Sequence, residues 1–136
     1  MSRATIENFQ RGTAAYNRGD WEGALATMVP DVEFDLTRAA PDGETYRGYE
    51  GVKAFWGMLR DVFGDFQIDP EEIIDVGDRL FTRIRLRSTG KASGAATEDV
   101  LYQVWAVAVH EGEVRGTSAE FFRERADALE AAGLKE

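Results

Sequence analysis

The sequence predicts an α+β domain, a conical α+β barrel in which a strongly curved, mixed or antiparallel sheet wraps around helices and encloses an internal pocket. Helical periodicity dominates residues 6–63, whereas strand patterns follow one another over residues 66–122. Helices first and consecutive strands afterwards are typical of an α+β domain. The longest apolar run, residues 99–110, is apolar on both faces, which indicates a central strand covered on both sides.

The composition excludes several classes of function. A chain of 136 residues is long enough for a buried core, and we expect one domain over residues 1–136. The formal net charge of −9 argues against nucleic-acid binding, which needs a concentrated basic face. The absence of cysteine excludes thiolate chemistry, and the single histidine, His110, excludes a histidine-rich metal site. We therefore expect neither a metal nor another cofactor.

No stretch of the sequence predicts a membrane segment. The first residues lack the apolar centre of a signal peptide, and a run of about eighteen apolar residues occurs nowhere. We therefore expect a cytoplasmic protein without a membrane partner.

Two helices are predicted at the start of the chain. Ile6, Phe9 and Tyr16 share one stripe of the first helix, so this stripe faces inward. A second, short helix covers residues 21–28. Tyr16 is either a phenol in a pocket or a core tyrosine with a single hydrogen bond.

A strand, a loop and a third helix follow. Residues 31–37 alternate, with Phe34 and Leu36 on the same face. Residues 38–48 are predicted as a loop that leads into the third helix. The broad apolar face of this helix includes Trp56 and Leu59, so the helix is expected to lie across the sheet.

Four strands complete the predicted sheet. Residues 66–76 form the first, interrupted by Pro70, and residues 79–88 form the second. The second strand carries three arginines on one face, which indicate either an anion site or, as we favour, pairing with acids of neighbouring strands: Arg83, Arg85 and Arg87. Residues 90–96 are predicted to be a flexible connection.

Gln103 is the one polar residue in the middle of the central strand. It shares a face with Leu101, Trp105 and Val107. A buried amide needs hydrogen-bond partners, so Gln103 is either a satisfied core amide or part of a pocket wall. The last strand covers residues 113–122, and a short amphipathic helix over residues 123–134 ends the chain.

Five segments carry a resemblance to a known family: YNRGDWEGALATMVPDVEFD, YRGYEGVKAFW, RLRSTGKASG, VWAVAVHEGEVR and RADALEAAGL. In order and spacing they resemble the SnoaL-like branch of the nuclear transport factor 2-like superfamily. The resemblance implies a curved sheet around a conical pocket, and a homodimer formed through the sheet face. The superfamily includes ketosteroid isomerases, polyketide cyclases, scytalone dehydratase, limonene epoxide hydrolases and proteins that only bind or assemble.

The catalytic residues of the ketosteroid isomerases do not carry over to this chain. Their oxyanion tyrosine falls on Gly12, their general-base aspartate falls near Leu36, and their oxyanion-hole acid falls close to Gln103. That mechanism needs a carboxylate base and a neutral acid that face one substrate. The resemblance therefore argues against steroid isomerisation by this mechanism. The Asp-Arg-Asp arrangement of the limonene epoxide hydrolases is not clearly reproduced either.

The candidate pocket draws on helices and strands from the whole chain. We expect its wall to contain Tyr16, Phe34, Leu36, Trp56, Leu59, Gln103, Trp105 and Phe122. Glu120 is the best candidate acid/base if its strand face is inward, and Asp99 shares a face with Gln103. Solvent exposure or ion pairing explains either carboxylate equally well.

Two classes of function stay open. The first is a cofactor-independent isomerase, cyclase, hydrolase or lyase that transfers a proton on a small, apolar, oxygenated molecule, with Tyr16 and Gln103 orienting a carbonyl. The second is non-catalytic. It comprises a domain that binds a small apolar organic molecule, and a dimeric assembly domain whose cavity is filled by Trp56 and Trp105.

Overall fold

The computed structural model of the chain describes residues 2–88 and 97–135, so the predicted connection at residues 90–96 lies outside the described residues. The described residues form the helices α1 (Ser2–Asn17), α2 (Trp21–Leu25), α3 (Gly48–Phe63) and α4 (Arg125–Ala131). They also form the strands β1 (Met28–Asp35), β2 (Thr45–Arg47), β3 (Phe66–Asp75), β4 (Arg79–Ser88), β5 (Glu98–His110) and β6 (Glu113–Phe122).

The six strands form one mixed sheet in the order β2-β1-β6-β5-β4-β3. Strand β1 runs parallel to β6, and the other neighbours are antiparallel. The predicted α+β class and the succession of four strands after the third helix are confirmed. The sheet is open, with β2 at one edge and β3 at the other.

Strand β2 and the start of β1 differ from the sequence-based prediction. The sequence predicts a loop at residues 45–47, but Tyr46 pairs with Phe34 and extends the sheet. A three-residue edge strand is too short to show a periodic pattern, so pairing alone defines it. Strand β1 already begins at Met28, and Pro30 lies where its register with β6 shifts. Proline is tolerated at such an irregularity because the ladder is interrupted there.

Helices cover both faces of the sheet, and each face contributes to a separate hydrophobic core. The inner face packs against α1 and α3 and carries Leu80, Ile84, Leu101, Trp105 and Phe121. The outer face packs against α4 and carries Phe81, Val104 and Phe122. The two faces of β5 are therefore both covered, as its continuous apolar sequence predicts.

The arginines of β4 lie on the outer face and pair with acids of adjacent strands. Arg85 donates to Glu71 over 2.8 Å, and Arg87 donates to Glu98 over 3.2 Å. The Arg85 guanidinium lowers the pKa of the Glu71 carboxyl by hydrogen bonding. These pairs are solvent-exposed, so they agree with the structural interpretation of the arginine row and not with an anion site.

Candidate functional site

A cavity of about 790 Å³ lies between the inner face of the sheet and helices α1 and α3. Its volume falls within the range of about 300–1,000 Å³ that is usual for small-molecule pockets. Aromatic and aliphatic side chains from β1, α3, β4, β5 and β6 form most of its wall: Phe34, Leu36, Phe55, Trp56, Leu59, Leu80, Ile84, Leu86, Leu101, Trp105, Val107 and Phe121.

Phe34 lies at the centre of this aromatic wall. Its ring centroid is 5.4 Å from that of Phe121, 5.6 Å from that of Trp105 and 6.2 Å from that of Trp56. Strand β1 delivers Phe34 to this position because the alternation of β1 turns Phe34 inward and leaves Glu33 exposed. These edge and tilted contacts hold the rings in one arrangement and shape the cavity.

Tyr16 of α1 contributes a phenol to the cavity wall. Its ring lies edge-on to Trp56 at 5.1 Å, and burial, together with the negative charge of Asp65, raises the pKa of Tyr16 to about 12. Within the described part of the chain, no group forms a hydrogen bond with the Tyr16 hydroxyl. The phenol therefore stays neutral at physiological pH and is available to a ligand.

Gln103 of β5 is 6% exposed and contributes its amide to the same cavity. Its Oε1 accepts hydrogen bonds from the Thr82 hydroxyl at 3.2 Å and from the Trp105 indole nitrogen at 3.1 Å. The carbonyl end of this buried amide is therefore satisfied inside the protein.

Gly116 of β6 allows the Trp105 ring to lie against the strand. A Cβ atom at Gly116 would approach Cε3 and Cζ3 of Trp105 to 2.8 Å, closer than real side chains pack. Gly12 of α1 is similarly constrained, because a Cβ there would lie 2.7 Å from Oγ1 of Thr27. Glycine at these two positions lets Trp105 and Thr27 pack directly against the backbone of β6 and α1.

The carboxylates of the described cavity wall lie at its exposed rim. Asp42, Glu44 and Asp99 are all exposed. Asp99 forms an ion pair with Arg123, and Arg123 also donates to the carbonyl of Ala39 over 3.0 Å. The described residues contain no group of three side chains suited to a metal ion. The interior of the cavity is thus neutral, and charge is confined to the opening.

A family model for the SnoaL-like domain matches residues 9–126, which is most of the chain. The chain belongs to the SnoaL-like domain family. No curated protein matches it.

Several solved structures share the fold of this SnoaL-like domain. A nuclear transport factor 2-like protein of Burkholderia pseudomallei is 22% identical with a TM-score of 0.73, covering 93% of this chain and 95% of that one. TerC, co-crystallised with polyporic acid, is 23% identical with a TM-score of 0.71, covering 96% and 98%. A Mycobacterium tuberculosis protein in complex with estradiol-17beta-hemisuccinate is 20% identical with a TM-score of 0.69, covering 90% and 95%. At these identities the likeness shows the fold alone.

Most of the residues proposed from the sequence line the cavity of this SnoaL-like domain. The lining includes Tyr16, Phe34, Leu36, Trp56, Leu59, Asp99, Gln103 and Trp105. The described part of the chain contains no helix long and apolar enough to cross a membrane.

Glu120 and Phe122 lie on the outer face, which corrects the predicted placement of both. Phe122 packs in the outer core with α4, and Glu120 pairs in register with the outward-facing Val104. Along β6, Ala106 of β5 pairs with Ser118 but Val107 pairs with Gly116, so Thr117 is an extra residue. Such a bulge reverses the side-chain alternation. Counting every second residue from Gly116 therefore places Glu120 and Phe122 on the inner face, whereas Phe121 lies there in the structure.

Sequence reasoning missed the polar residues of α1 that lie in the cavity wall. Asn8 is buried, and its amide donates to the carbonyl of Thr27 over 3.1 Å. The same carbonyl accepts from the backbone nitrogen of Gly116 over 2.9 Å, so Asn8 ties α1 to β6. Asn8 lies two helical turns before Tyr16 on the same stripe, and this spacing would have found it.

Proposed function

We propose that this SnoaL-like domain binds a small, largely apolar, oxygenated organic molecule inside its cavity. The observation that carries the proposal is a neutral, aromatic-walled cavity of about 790 Å³ that reaches the surface. Pockets that bury most of a small ligand combine apolar walls with a few polar groups that orient it. Here Tyr16 and Gln103 are such groups, because each offers polar atoms from an otherwise apolar wall.

Burial of apolar surface is the expected source of affinity. A three-ring ligand that loses about 350 Å² of apolar surface gains roughly 9 kcal/mol at about 25 cal/mol per Å². Lost translational and rotational freedom offsets at least about 4 kcal/mol of this gain. The difference is at most about 5 kcal/mol, which corresponds to a dissociation constant of roughly 0.2 mM or higher, and each hydrogen bond to the ligand lowers this constant. Two proteins of similar fold were crystallised with organic molecules, TerC with polyporic acid and the M. tuberculosis protein in complex with estradiol-17beta-hemisuccinate.

Equilibrium dialysis with fluorene, a rigid three-ring hydrocarbon, tests the proposal. We expect the wild-type protein to bind fluorene, and the Leu59→Trp variant to bind it at least tenfold more weakly because the larger side chain occupies cavity volume. Ala14→Trp is the matched control, since Ala14 is exposed on α1 and outside the cavity. Absent binding, or equal binding by Leu59→Trp and the wild type, would contradict the proposal.

A second candidate function is cofactor-independent proton transfer, as in an isomerase, cyclase, dehydratase or hydrolase. Asp99 favours it, because this carboxylate lies in the cavity wall beside the Arg123 guanidinium. A ligand carbonyl held by Tyr16 and Gln103 would place its neighbouring carbon toward the opening. Asp99 would then accept a proton from that carbon as a general base. Glu120 lies on the outer face and could not take part.

Deuterium uptake by 1-indanone, followed by NMR in D₂O, tests proton transfer. The expected result is uptake above the buffer rate with wild-type protein and loss of this increase in Asp99→Asn. Glu120→Gln is the matched control and should behave as the wild type. If Asp99→Asn retains the wild-type rate, Asp99 is not the base.

We also propose the homodimer that the family resemblance implies. The end of β5 supports it, because Val109 is exposed and flanks a shallow hollow lined by Val29, His110 and Ser118. A second copy that covers this end of the sheet would remove Val109 from water. Light scattering at micromolar concentration should give twice the chain mass of 15.1 kDa. A mass near that of one chain would refute the dimer.

A further inference from the structure

The hydrogen bonds around Gln103 determine which end of its amide faces the cavity. An indole nitrogen is a donor only, so the atom 3.1 Å from Nε1 of Trp105 has to be the amide oxygen. The Thr82 hydroxyl donates to the same oxygen over 3.2 Å. A rotated amide would set its NH₂ group against the indole N–H and lose this bond. The amide is therefore held in one orientation.

The nitrogen of the Gln103 amide is available to a molecule in the cavity. Among the residues that the structure describes, none accepts a hydrogen bond from Nε2 of Gln103, although the side chain lines the cavity. A ligand that covers this NH₂ group without accepting from it leaves the donor unpaired, so a ligand atom that accepts from it gains affinity. The group carries no charge, and this preference is independent of pH.

Gly116 and Thr82 hold this arrangement from two sides. Gly116 pairs with Val107 next to the bulge of β6, and its missing Cβ lets the Trp105 ring lie where its N–H meets Gln103. Thr82 is fully buried and lies directly opposite Gln103 on β4.

We propose that Gly116, Trp105 and Thr82 are positioning residues that fix the Gln103 amide with its NH₂ group toward the cavity. Through this group the domain selects molecules whose buried end carries an acceptor oxygen, such as a ketone or quinone, over hydrocarbons of the same shape. The inference rests on the proposed binding function and names the chemical class of its ligand.

Paired dialysis with 9-fluorenone and fluorene tests the inference, since the two molecules differ at one carbon that is C=O in the first and CH₂ in the second. One additional hydrogen bond is expected to make fluorenone bind about tenfold more tightly to the wild type. Trp105→Phe keeps a ring but removes the donor, and it should bring the ratio of the two dissociation constants close to one. Gly116→Ala should do the same by displacing the indole. Gly57→Ala is the matched control, because a Cβ at Gly57 meets nothing within 4 Å.

The ratio of the two dissociation constants distinguishes a loss of positioning from a general loss of structure. A general loss of structure weakens the binding of both molecules equally and leaves the ratio unchanged. If Gly116→Ala does not fold, Trp105→Phe and Thr82→Val carry the test. When its carboxyl is ionised at high pH, Gln103→Glu can accept the same two hydrogen bonds while turning an acceptor oxygen to the cavity, so it should then reverse the preference and favour fluorene. Failure of both molecules to bind would overturn the proposed function itself. Equal binding of both by the wild type would overturn only the selection, and an unchanged ratio in Trp105→Phe and Gly116→Ala would overturn the positioning role.

Discussion

On the inner face of the sheet, Gln103 is a neutral amide at the centre of an aromatic and aliphatic wall. On the outer face, arginines and acids of neighbouring strands form exposed ion pairs, such as Arg85 with Glu71. Burial of apolar groups dominates both stability and ligand affinity, whereas exposed ion pairs contribute little. Substitutions on the two faces of the same strands should therefore have separable effects on stability and on ligand binding.

The largest effect is expected for Phe34→Ala on the inner face. Phe34 is 2% exposed and contacts Trp105 and Phe121 directly, so its removal leaves a cavity in the aromatic wall. Loss of a buried phenylalanine should lower the free energy of unfolding by about 4 kcal/mol. Urea unfolding measures this value, and fluorene binding should weaken as well. If Phe34→Ala lowered the free energy of unfolding by less than the substitution of an exposed residue, such as Val109→Ala, Phe34 would not be central to the aromatic wall.

Leu129→Ala on α4 separates stability from binding. Leu129 packs in the outer core beside Phe122, away from the cavity. We expect a loss of about 3 kcal/mol in the free energy of unfolding from the buried leucine. Fluorene affinity of the remaining folded protein should be unchanged, which dialysis at low temperature would show. A parallel loss of affinity would mean that the outer core shapes the cavity.

Tyr16 makes the inner face sensitive to high pH. Since its folded pKa is about 12 and its ordinary value is 10.0, the unfolded chain releases the proton first as the pH rises. The contribution of Tyr16 to stability should therefore be constant below pH 10 and fall between pH 10 and pH 12, by on the order of 2 kcal/mol near the upper end. Urea unfolding of Tyr16→Phe is the control, because this variant lacks the loss. Equal pH profiles of the two proteins would exclude a perturbed Tyr16.

The smallest effect is expected for Glu71→Gln on the outer face. Arg85 lowers the pKa of Glu71, so the contribution of the pair is present at neutral pH and is lost as the pH falls through the lowered pKa. The pair is exposed, and its effect on the urea midpoint should be smaller than any above. In about 1 M salt the difference from the wild type should vanish. A difference that persists in salt would show that Glu71 acts through packing.

The alternation of the regular strands was sufficient to locate most of the cavity wall. Phe34 and Leu36 follow from β1, while Gln103 and Trp105 follow from β5, because a period of two leaves only two faces to choose between. Burial on both sides of β5 was also readable from its continuous apolar run. The pocket residues of α1 and α3 followed from helical stripes in the same way.

Tertiary pairing decided what periodicity could not. The bulge at Thr117 turns Phe121 inward and places Glu120 and Phe122 outside, and one extra residue in a strand leaves no signature in the sequence pattern. Strand β2 is defined by its pairing with β1, in which Tyr46 lies opposite Phe34.

The α+β class, the order of the major elements and the neutral, aromatic character of the inner face follow from local periodicity and composition, so they can be predicted from the sequence. The orientation of the Gln103 amide cannot be predicted in this way, since it depends on an indole N–H from Trp105 and on the space above Gly116. Residues two positions apart share a face in any strand, but whether their side chains bond to each other depends on the neighbouring strands. The chemistry of the site lies in such contacts.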